Sequence, residues 1–136
     1  MRIAIIGSRT YEHRSKIRDM ILKLKQNVPD LTIVSGGCKT GADHYAKKYA
    51  IDMGIDYVEY NPAHTPPNLY SGMPDEYYNK EYHPSQFIHR NHLIVYNSDK
   101  IIAFLDTTSK STGTIGTIKY AEKLKKPVVV IDEKVG

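Results

Sequence analysis

Cysteine is almost missing from this 136-residue chain, which contains Cys38 alone. One thiol cannot form an internal disulfide, so the sequence indicates a protein of a reducing compartment, and we expect it in the cytoplasm. No apolar run in the sequence is long enough to span a bilayer, and the run at residues 3–6 is too short for a signal peptide. These absences argue against a disulfide scaffold and against a membrane-spanning protein.

A strong charge bias and a metal-ligand pattern are also missing from the sequence. The net charge is only +4, from 19 basic and 15 acidic residues, which suits an anionic small molecule as well as nucleic acid. A nucleic-acid surface should gather its cations on one face, and no basic run of that kind occurs. The six histidines are scattered, so we expect neither a metal nor another cofactor.

Short apolar segments alternate with helical patterns along the chain. We predict strands at residues 2–6, 31–34, 55–60, 100–105 and 127–131. This alternation predicts one α/β domain over residues 1–136, a Rossmann-like three-layer fold with a five-stranded parallel sheet in the probable order 3-2-1-4-5. A ligand would then bind beyond the carboxyl ends of the strands, where strands 1 and 4 meet.

Several helix details follow from the same patterns. The helix over residues 86–97 would begin after Ser85 as its N-cap. The last helix would face the sheet with four apolar side chains at helical spacing: Ile115, Ile118, Ala121 and Leu124. We expect the segment from residue 132 to residue 136 to be a frayed tail.

Three strand-to-helix turns are rich in glycine, hydroxyls and cations, which is typical of phosphate sites. The central one, at residues 35–43, is not a Walker A loop, because Lys39 and Thr40 precede its last glycine. The candidate ligand-binding residues in the turns are Gly7, Ser8, Arg9, Thr10, Gly36, Gly37, Lys39, Thr40, Gly41, Asp43, Ser111, Thr112, Gly113 and Thr114. Each turn has an alternative interpretation without a ligand: a capped turn with an exposed arginine after strand 1, a tight connection that only packs after strand 2, and a flexible polar loop with an N-cap after strand 4.

Two polar residues, Arg90 and Asn91, fall on the inward flank of the predicted helix before strand 4. Either Arg90 pairs with an internal carboxylate, or both residues face a ligand cleft, because an unpaired buried polar group is costly. Asp43 has two interpretations as well, as a helix cap or as an acceptor for a ligand hydroxyl. For Cys38 we expect a packing role.

Residues 61–85 interrupt the alternation of strands and helices. This insertion holds five prolines and four tyrosines, and loops of that length are often functional lids. We expect it to cover a ligand. The alternatives are a segment that covers the sheet edge or one that forms a dimer interface, so a homo-oligomer is possible.

Four motifs together resemble the SLOG superfamily over nearly the whole chain apart from the insertion. They are Ile-Gly-Ser-Arg at residues 6–9, Ser-Gly-Gly-x-x-x-Gly-Ala-Asp at 35–43, His-Arg-Asn at 89–91 and Ser-Thr-Gly-Thr at 111–114. The sequence is most similar to the YspA-like branch of a superfamily that includes DprA and the LOG phosphoribohydrolases. The resemblance implies a pocket for a nucleotide or an ADP-ribose-type derivative. Its walls would be Gly7, Ser8 and Arg9 on one side and Gly36, Gly37, Gly41 and Asp43 on the other. Arg90 and Asn91 would approach the phosphate or ribose, and residues 111–114 would bind the phosphate.

One motif departs from the LOG pattern Pro-Gly-Gly-x-Gly-Thr-x-x-Glu. In the matching segment, residues 109–117, the two glycines are replaced by Lys110 and Ser111, and the glutamate position is Thr117. A hydroxyl cannot replace a carboxylate as a base or as a partner of an oxocarbenium-like centre. LOG-type hydrolysis is therefore doubtful, and whether the chain is an enzyme stays open.

Three functions are compatible with these residues. The first is a protein that senses, carries or sequesters a nucleotide-derived ligand without chemistry. The second is an N-glycosidase that uses Asp106, Asp43 or Glu81 as its carboxylate. The third is a DprA-like protein that binds single-stranded DNA, which would need a basic groove with stacking aromatic side chains.

Overall fold

The computed structural model of the chain describes residues 1–38, 40–61, 70–73, 84–107 and 112–133. In this part of the chain, five strands alternate with four helices, as the sequence predicts. The strands are β1 (Arg2–Gly7), β2 (Thr32–Ser35), β3 (Asp56–Glu59), β4 (Lys100–Asp106) and β5 (Val128–Glu133). The helices are α1 (Arg14–Asn27), α2 (Gly41–Asp52), α3 (Pro84–Tyr96) and α4 (Thr112–Lys123). None of the helices in these ranges is long and apolar enough to cross a membrane.

The five strands form one sheet in the order β3-β2-β1-β4-β5, and every neighbouring pair is parallel. The predicted strand order is therefore confirmed. β1 lies at the centre, and its register places Ile5 beside Ile102 of β4. Because all strands are parallel, their carboxyl ends share one edge of the domain, and the turns that follow β1, β2 and β4 start there.

Side-chain alternation along the central strands supplies two hydrophobic cores, one on each face of the sheet. Ile3 and Ile5 of β1 pack with α1 and α2, whereas Ala4 and Ile6 pack with α3 and α4. A strand that is buried on both faces needs apolar residues at consecutive positions, and residues 3–6 provide them. The sheet is thus the middle of three layers.

Close packing of α2 against the sheet determines where this helix begins. Ala42, Ala46 and Ala50 are fully buried on its inner face. Gly41 has a φ of +76°, and a Cβ at this position would lie 2.6 Å from the Cα of Arg9. Only glycine allows this backbone conformation and this approach at low cost. The amino end of α2 therefore packs directly against the turn that follows β1.

Three predicted details of the helices and the chain end are wrong. α3 begins at Pro84, so Ser85 lies inside the first turn; proline is favoured there because its missing N–H would have no helical partner. Ile115 of α4 is 39% exposed and Leu124, which follows the last residue of this helix, is 38% exposed, while Thr117 of α4 is 3% exposed. Threonine can occupy the buried face because its hydroxyl donates a hydrogen bond to the Gly113 carbonyl oxygen at 2.8 Å. The segment called a frayed tail also begins too early, since β5 extends to Glu133.

The two edges of the sheet differ. At the β3 edge, the Glu59 N–H donates to the Tyr70 carbonyl and the Gly72 N–H donates to the Glu59 carbonyl, each at 2.7 Å. This part of the 61–85 insertion therefore covers the sheet edge, which is one of the alternatives from the sequence, while most of the insertion lies outside the described residues. At the other edge, Val129 and Val130 of β5 are 39% and 44% exposed.

A buried carboxylate on β3 ties the middle of α2 to the sheet. Glu59 is 2% exposed, accepts a hydrogen bond from the Tyr57 hydroxyl at 3.1 Å, and forms an ion pair with Lys47 at 3.0 Å. The Lys47 side chain itself is 37% exposed, so its charged end reaches the buried carboxylate from the surface. A buried carboxylate that loses its cation is costly, so this pair constrains α2.

Replacement of Lys47 tests that constraint. We expect Lys47→Met to lower the free energy of unfolding by about 3 kcal/mol, because it takes the Lys47 charge away from the buried Glu59 carboxylate. The control is Lys48→Met, which removes an exposed pair with Asp52 at 3.3 Å and should cost at most about 1 kcal/mol. Denaturant unfolding of both variants measures the difference, and equal losses would contradict the structural role of Lys47.

Candidate functional site

A cleft of about 420 Å³ lies at the carboxyl ends of the strands. Residues from four segments line it: the turn after β1, the turn after β2 with the start of α2, the inner side of α3, and the first turns of α4. The lining residues are Ile6, Gly7, Ser8, Arg9, Thr10, Cys38, Asp43, Arg90, Asn91, Ile94, Thr112, Gly113, Thr114 and Thr117. The described parts of the three predicted turns thus meet in one cavity.

The turn after β1 is held to the end of β4 by hydrogen bonds. The Ser8 N–H donates to the Phe104 carbonyl at 3.0 Å, and the Ser8 hydroxyl oxygen accepts from the Asp106 N–H at 2.9 Å. The Thr10 hydroxyl donates to Asp106 Oδ2 at 2.5 Å. These bonds use Asp106 to fix the turn, and the carboxylate is not among the residues that line the cleft. This placement weakens Asp106 as a catalytic candidate.

The inner end of the cleft contains a buried carboxyl group, Asp43, and a buried guanidinium group, Arg90, which both lie close to Gly36. A Cβ on Gly36 would lie 2.5 Å from Arg90 Nη1 and 2.6 Å from Asp43 Oδ2, so both side chains occupy the space above this glycine. Arg90 donates through Nη1 to the Gly36 carbonyl at 2.8 Å and through Nε to Asn91 Oδ1 at 2.8 Å. The two interpretations of Arg90 therefore hold together, since it lies beside an internal carboxylate and also lines the cleft.

Burial dominates the electrostatics of this inner end. It is the largest cause that raises the pKa of Asp43, while the charge of Arg90 and hydrogen bonds from the Cys38 thiol and backbone N–H lower it. Burial also raises the pKa of the Cys38 thiol, and the Asp43 carboxylate adds to the effect. A thiol with a raised pKa is a poor nucleophile, so Cys38 contributes shape and hydrogen bonding to the cleft.

The outer end of the cleft has the features of an anion site. Helix α4 begins at Thr112, and the N–H groups of a first helical turn have no partner within the helix. Gly113 and Thr114 of this turn line the cleft together with the exposed Arg9. The helix dipole and the Arg9 guanidinium both favour a negative group here.

Thr117 lies one turn further along α4, at the position of the LOG glutamate. It lines the cleft, but its hydroxyl is engaged with the carbonyl of Gly113 in its own helix. A residue held in this way has neither the charge nor the proton affinity that glycosidic cleavage requires. The cleft wall at this position is suited to contact rather than to catalysis.

Some predicted site residues lie behind the cleft or outside the described residues. Four belong to the turn after β2 but do not line the cavity: Gly36, Gly37, Thr40 and Gly41. Three more, Lys39, Ser111 and the catalytic candidate Glu81, lie outside the described residues. The sequence analysis missed Ile6 and Ile94 as lining residues, because an apolar side chain gives the same signal in a core and in a cleft.

Substitution of Gly36 tests the arrangement of the inner end. We expect Gly36→Ala to lower the free energy of unfolding by about 1–3 kcal/mol, because the added methyl displaces Arg90 or Asp43 in a packed site. Gly116→Ala on α4 is the control, since a Cβ there meets nothing within 4 Å, and alanine should stabilise the helix by about 0.5–1 kcal/mol. Denaturant unfolding measures both variants. If both were more stable than the wild type, Arg90 and Asp43 could not pack closely against Gly36.

The fold is similar to that of several solved structures. DNA processing protein A from Helicobacter pylori aligns with 100% of this chain and 67% of its own, at 23% identity and a TM-score of 0.72. DNA processing protein A from Streptococcus pneumoniae aligns with 98% of the chain at 19% identity and a TM-score of 0.77, and this chain spans about half (51%) of that protein. The molybdenum cofactor binding protein from Rippkaea orientalis aligns with 98% of this chain and 77% of its own, at 18% identity and a TM-score of 0.71.

The family comparison rests on the amino-terminal half of the chain. No curated protein sequence matches the chain. Residues 1–65, which contain β1 to β3 and the turns after β1 and β2, match the family described as "YspA, cpYpsA-related SLOG family". This match confirms the resemblance to the SLOG superfamily over residues 1–65 of the chain.

Proposed function

We propose that the cleft binds a nucleotide or a nucleotide-derived ligand and releases it unchanged, so that the protein acts as a sensor, a carrier or a sequestering protein. One observation carries this proposal: the first turn of α4 and Arg9 line the same cleft, and the residue at the glutamate position of the LOG pattern in that cleft is Thr117. The cleft thus has an anion site, and a threonine takes the place of the glutamate of the LOG pattern. The single thiol, Cys38, favours the cytoplasm as its location.

The dimensions and polarity of the cleft support a ligand of nucleotide size. A volume of about 420 Å³ is within the range of small-molecule sites. Its walls combine hydroxyl and amide groups with the apolar side chains of Ile6 and Ile94. This mixture suits a compound with a phosphate, a sugar and a flat apolar ring.

The arrangement of carboxyl groups supports binding without hydrolysis. Asp106 is engaged with Thr10, and Asp43 lies beside Arg90 with hydrogen bonds from Cys38. Neither carboxyl group stands opposite a second one across the cleft, within the residues that the structure describes. A glycosidase of the usual type needs two carboxyl groups on either side of the bond that it cleaves.

Ligand screening tests the proposal directly. The panel is AMP, ADP, ATP, NAD, ADP-ribose and cyclic dinucleotides, with molybdenum cofactor added because proteins of similar fold bind it. We expect at least one compound to raise the melting temperature, because a ligand that binds only the folded state stabilises it. Chromatography of the recovered ligand should show it intact. Release of a free base would overturn the non-catalytic part of the proposal, and no shift with any compound would overturn all of it.

A variant of Arg9 tests the anion site. We expect Arg9→Ala to weaken binding of the active compound by at least about tenfold, because a hydrogen bond to a charged group contributes about 1.5–3 kcal/mol. Arg18→Ala is the matched control, since Arg18 is an exposed arginine on α1 whose described partner is Asp19. Titration calorimetry compares the two. If the Arg9 and Arg18 variants bound the compound with equal affinity, Arg9 would not be part of the binding site.

Single-stranded DNA binding is the second candidate, favoured by exposed rings on α3. Tyr96 is 72% exposed, and the exposed His92 stacks on the half-buried Tyr120 of α4 with ring centroids 3.9 Å apart. Flat exposed rings are the platforms on which unpaired bases stack. Titration of a fluorescent oligonucleotide at two salt concentrations tests this function, which requires an affinity that falls steeply with salt.

A further inference from the structure

We propose that the inner end of the cleft receives the vicinal hydroxyls of a ribose, with Asp43 as the acceptor of the 2′-hydroxyl, so that the site selects ribonucleotides over deoxyribonucleotides. This inference rests on the proposed function, because it assumes that a phosphate occupies the α4 end. It assigns the ligand a direction in the cleft and a sugar class.

The charges at the two ends of the cleft give the direction. At the inner end, Arg90 and Asp43 lie against the same glycine and offset each other, and Arg90 also donates to the Gly36 and Tyr60 carbonyls at 2.8 and 3.4 Å. At the outer end, the first turn of α4 provides the positive end of a helix dipole, the Arg9 guanidinium lines the same cleft, and Asp43 is the only described acidic residue among the lining residues. A phosphate is therefore favoured at the outer end, and a neutral polar group at the inner end.

The hydrogen-bonding capacity of Asp43 identifies the neutral group. The residue is 8% exposed and lines the cleft from the first turn of α2. Its described neighbours supply hydrogen bonds from the backbone N–H and the thiol of Cys38 and from the Ser35 side chain. A carboxylate has about four acceptor positions on its two oxygens, so about one remains for a donor from a ligand. One of two adjacent ribose hydroxyls is a donor of this kind.

The apolar residues between the two ends favour a sugar with an attached base. Ile6 at the end of β1 and Ile94 on α3 both line the cleft. Their side chains offer no hydrogen bond, so the ligand segment between the ends gains affinity there by burial of apolar surface. With the hydroxyls at Asp43, the ring of a ribonucleotide would lie over these side chains.

Matched pairs of nucleotides test the sugar class. The probes are the four nucleoside 5′-monophosphates and their 2′-deoxy counterparts, measured by titration calorimetry at one pH and salt concentration. We expect each ribonucleotide that binds to bind at least about tenfold more tightly than its deoxy form, since a bond to a carboxylate is lost. Equal affinities within the pairs would overturn this inference but leave the proposed function intact. No binding by any of these monophosphates would overturn this inference, while the proposed function would be overturned only by the failure of the whole ligand panel described above.

Variants of Asp43 assign the preference to this side chain. Asp43→Asn keeps the shape and should reduce the ratio of ribose to deoxyribose affinity several-fold, and Asp43→Ala should reduce it to near one. Asp52→Asn is the control, because Asp52 is an exposed acid at the other end of α2. The affinity ratio responds to sugar contact and not to a general loss of stability. An unchanged ratio in both Asp43 variants would overturn the assignment, and so would a preference that follows the base instead of the sugar.

Discussion

The convergence of Asp43 and Arg90 on Gly36 is the contact on which the cleft depends. Helices α2 and α3 lie on opposite faces of the sheet, and this convergence joins them across the end of β2. Neither charge would be tolerated alone at this depth, since burial of an unpaired ion costs several kcal/mol. Each side chain therefore requires the other, and Gly36 is required by both. The position of the inner wall is determined by these three residues and not by the length of any loop.

Helix α2 carries much of this geometry because it is fixed at two points. At its start, Gly41 allows the backbone to approach the turn after β1, and in its middle Lys47 reaches the buried Glu59 on β3. Between these points, the alanine face allows the helix axis to come close to the sheet. A helix held in this way presents Asp43 in a constant orientation. Such preorganisation lowers the entropy that a ligand would lose on binding.

The fold was largely predictable from the sequence, and the site only in part. Apolar runs bounded by turn residues were enough to predict five parallel strands and their order, because right-handed crossovers leave few alternatives. Hydrophobic spacing misassigned the inner face of α4, since it gives no weight to a threonine such as Thr117 that satisfies its own hydroxyl. Pairings between distant residues, such as Lys47 with Glu59, leave no periodic signal. They depend on the tertiary structure and not on local pattern.

The unequal edges of the sheet have a consequence for how copies of the domain can associate. Residues 70–72 already occupy backbone groups at the β3 edge, whereas the β5 edge, with Val129 and Val130, has no partner strand among the described residues. A sheet with two open edges can add strands in both directions and grow into a fibre. With one edge occupied, strand-to-strand addition ends after a single step. Edge association of this domain would thus be self-limiting, with two copies as its largest product.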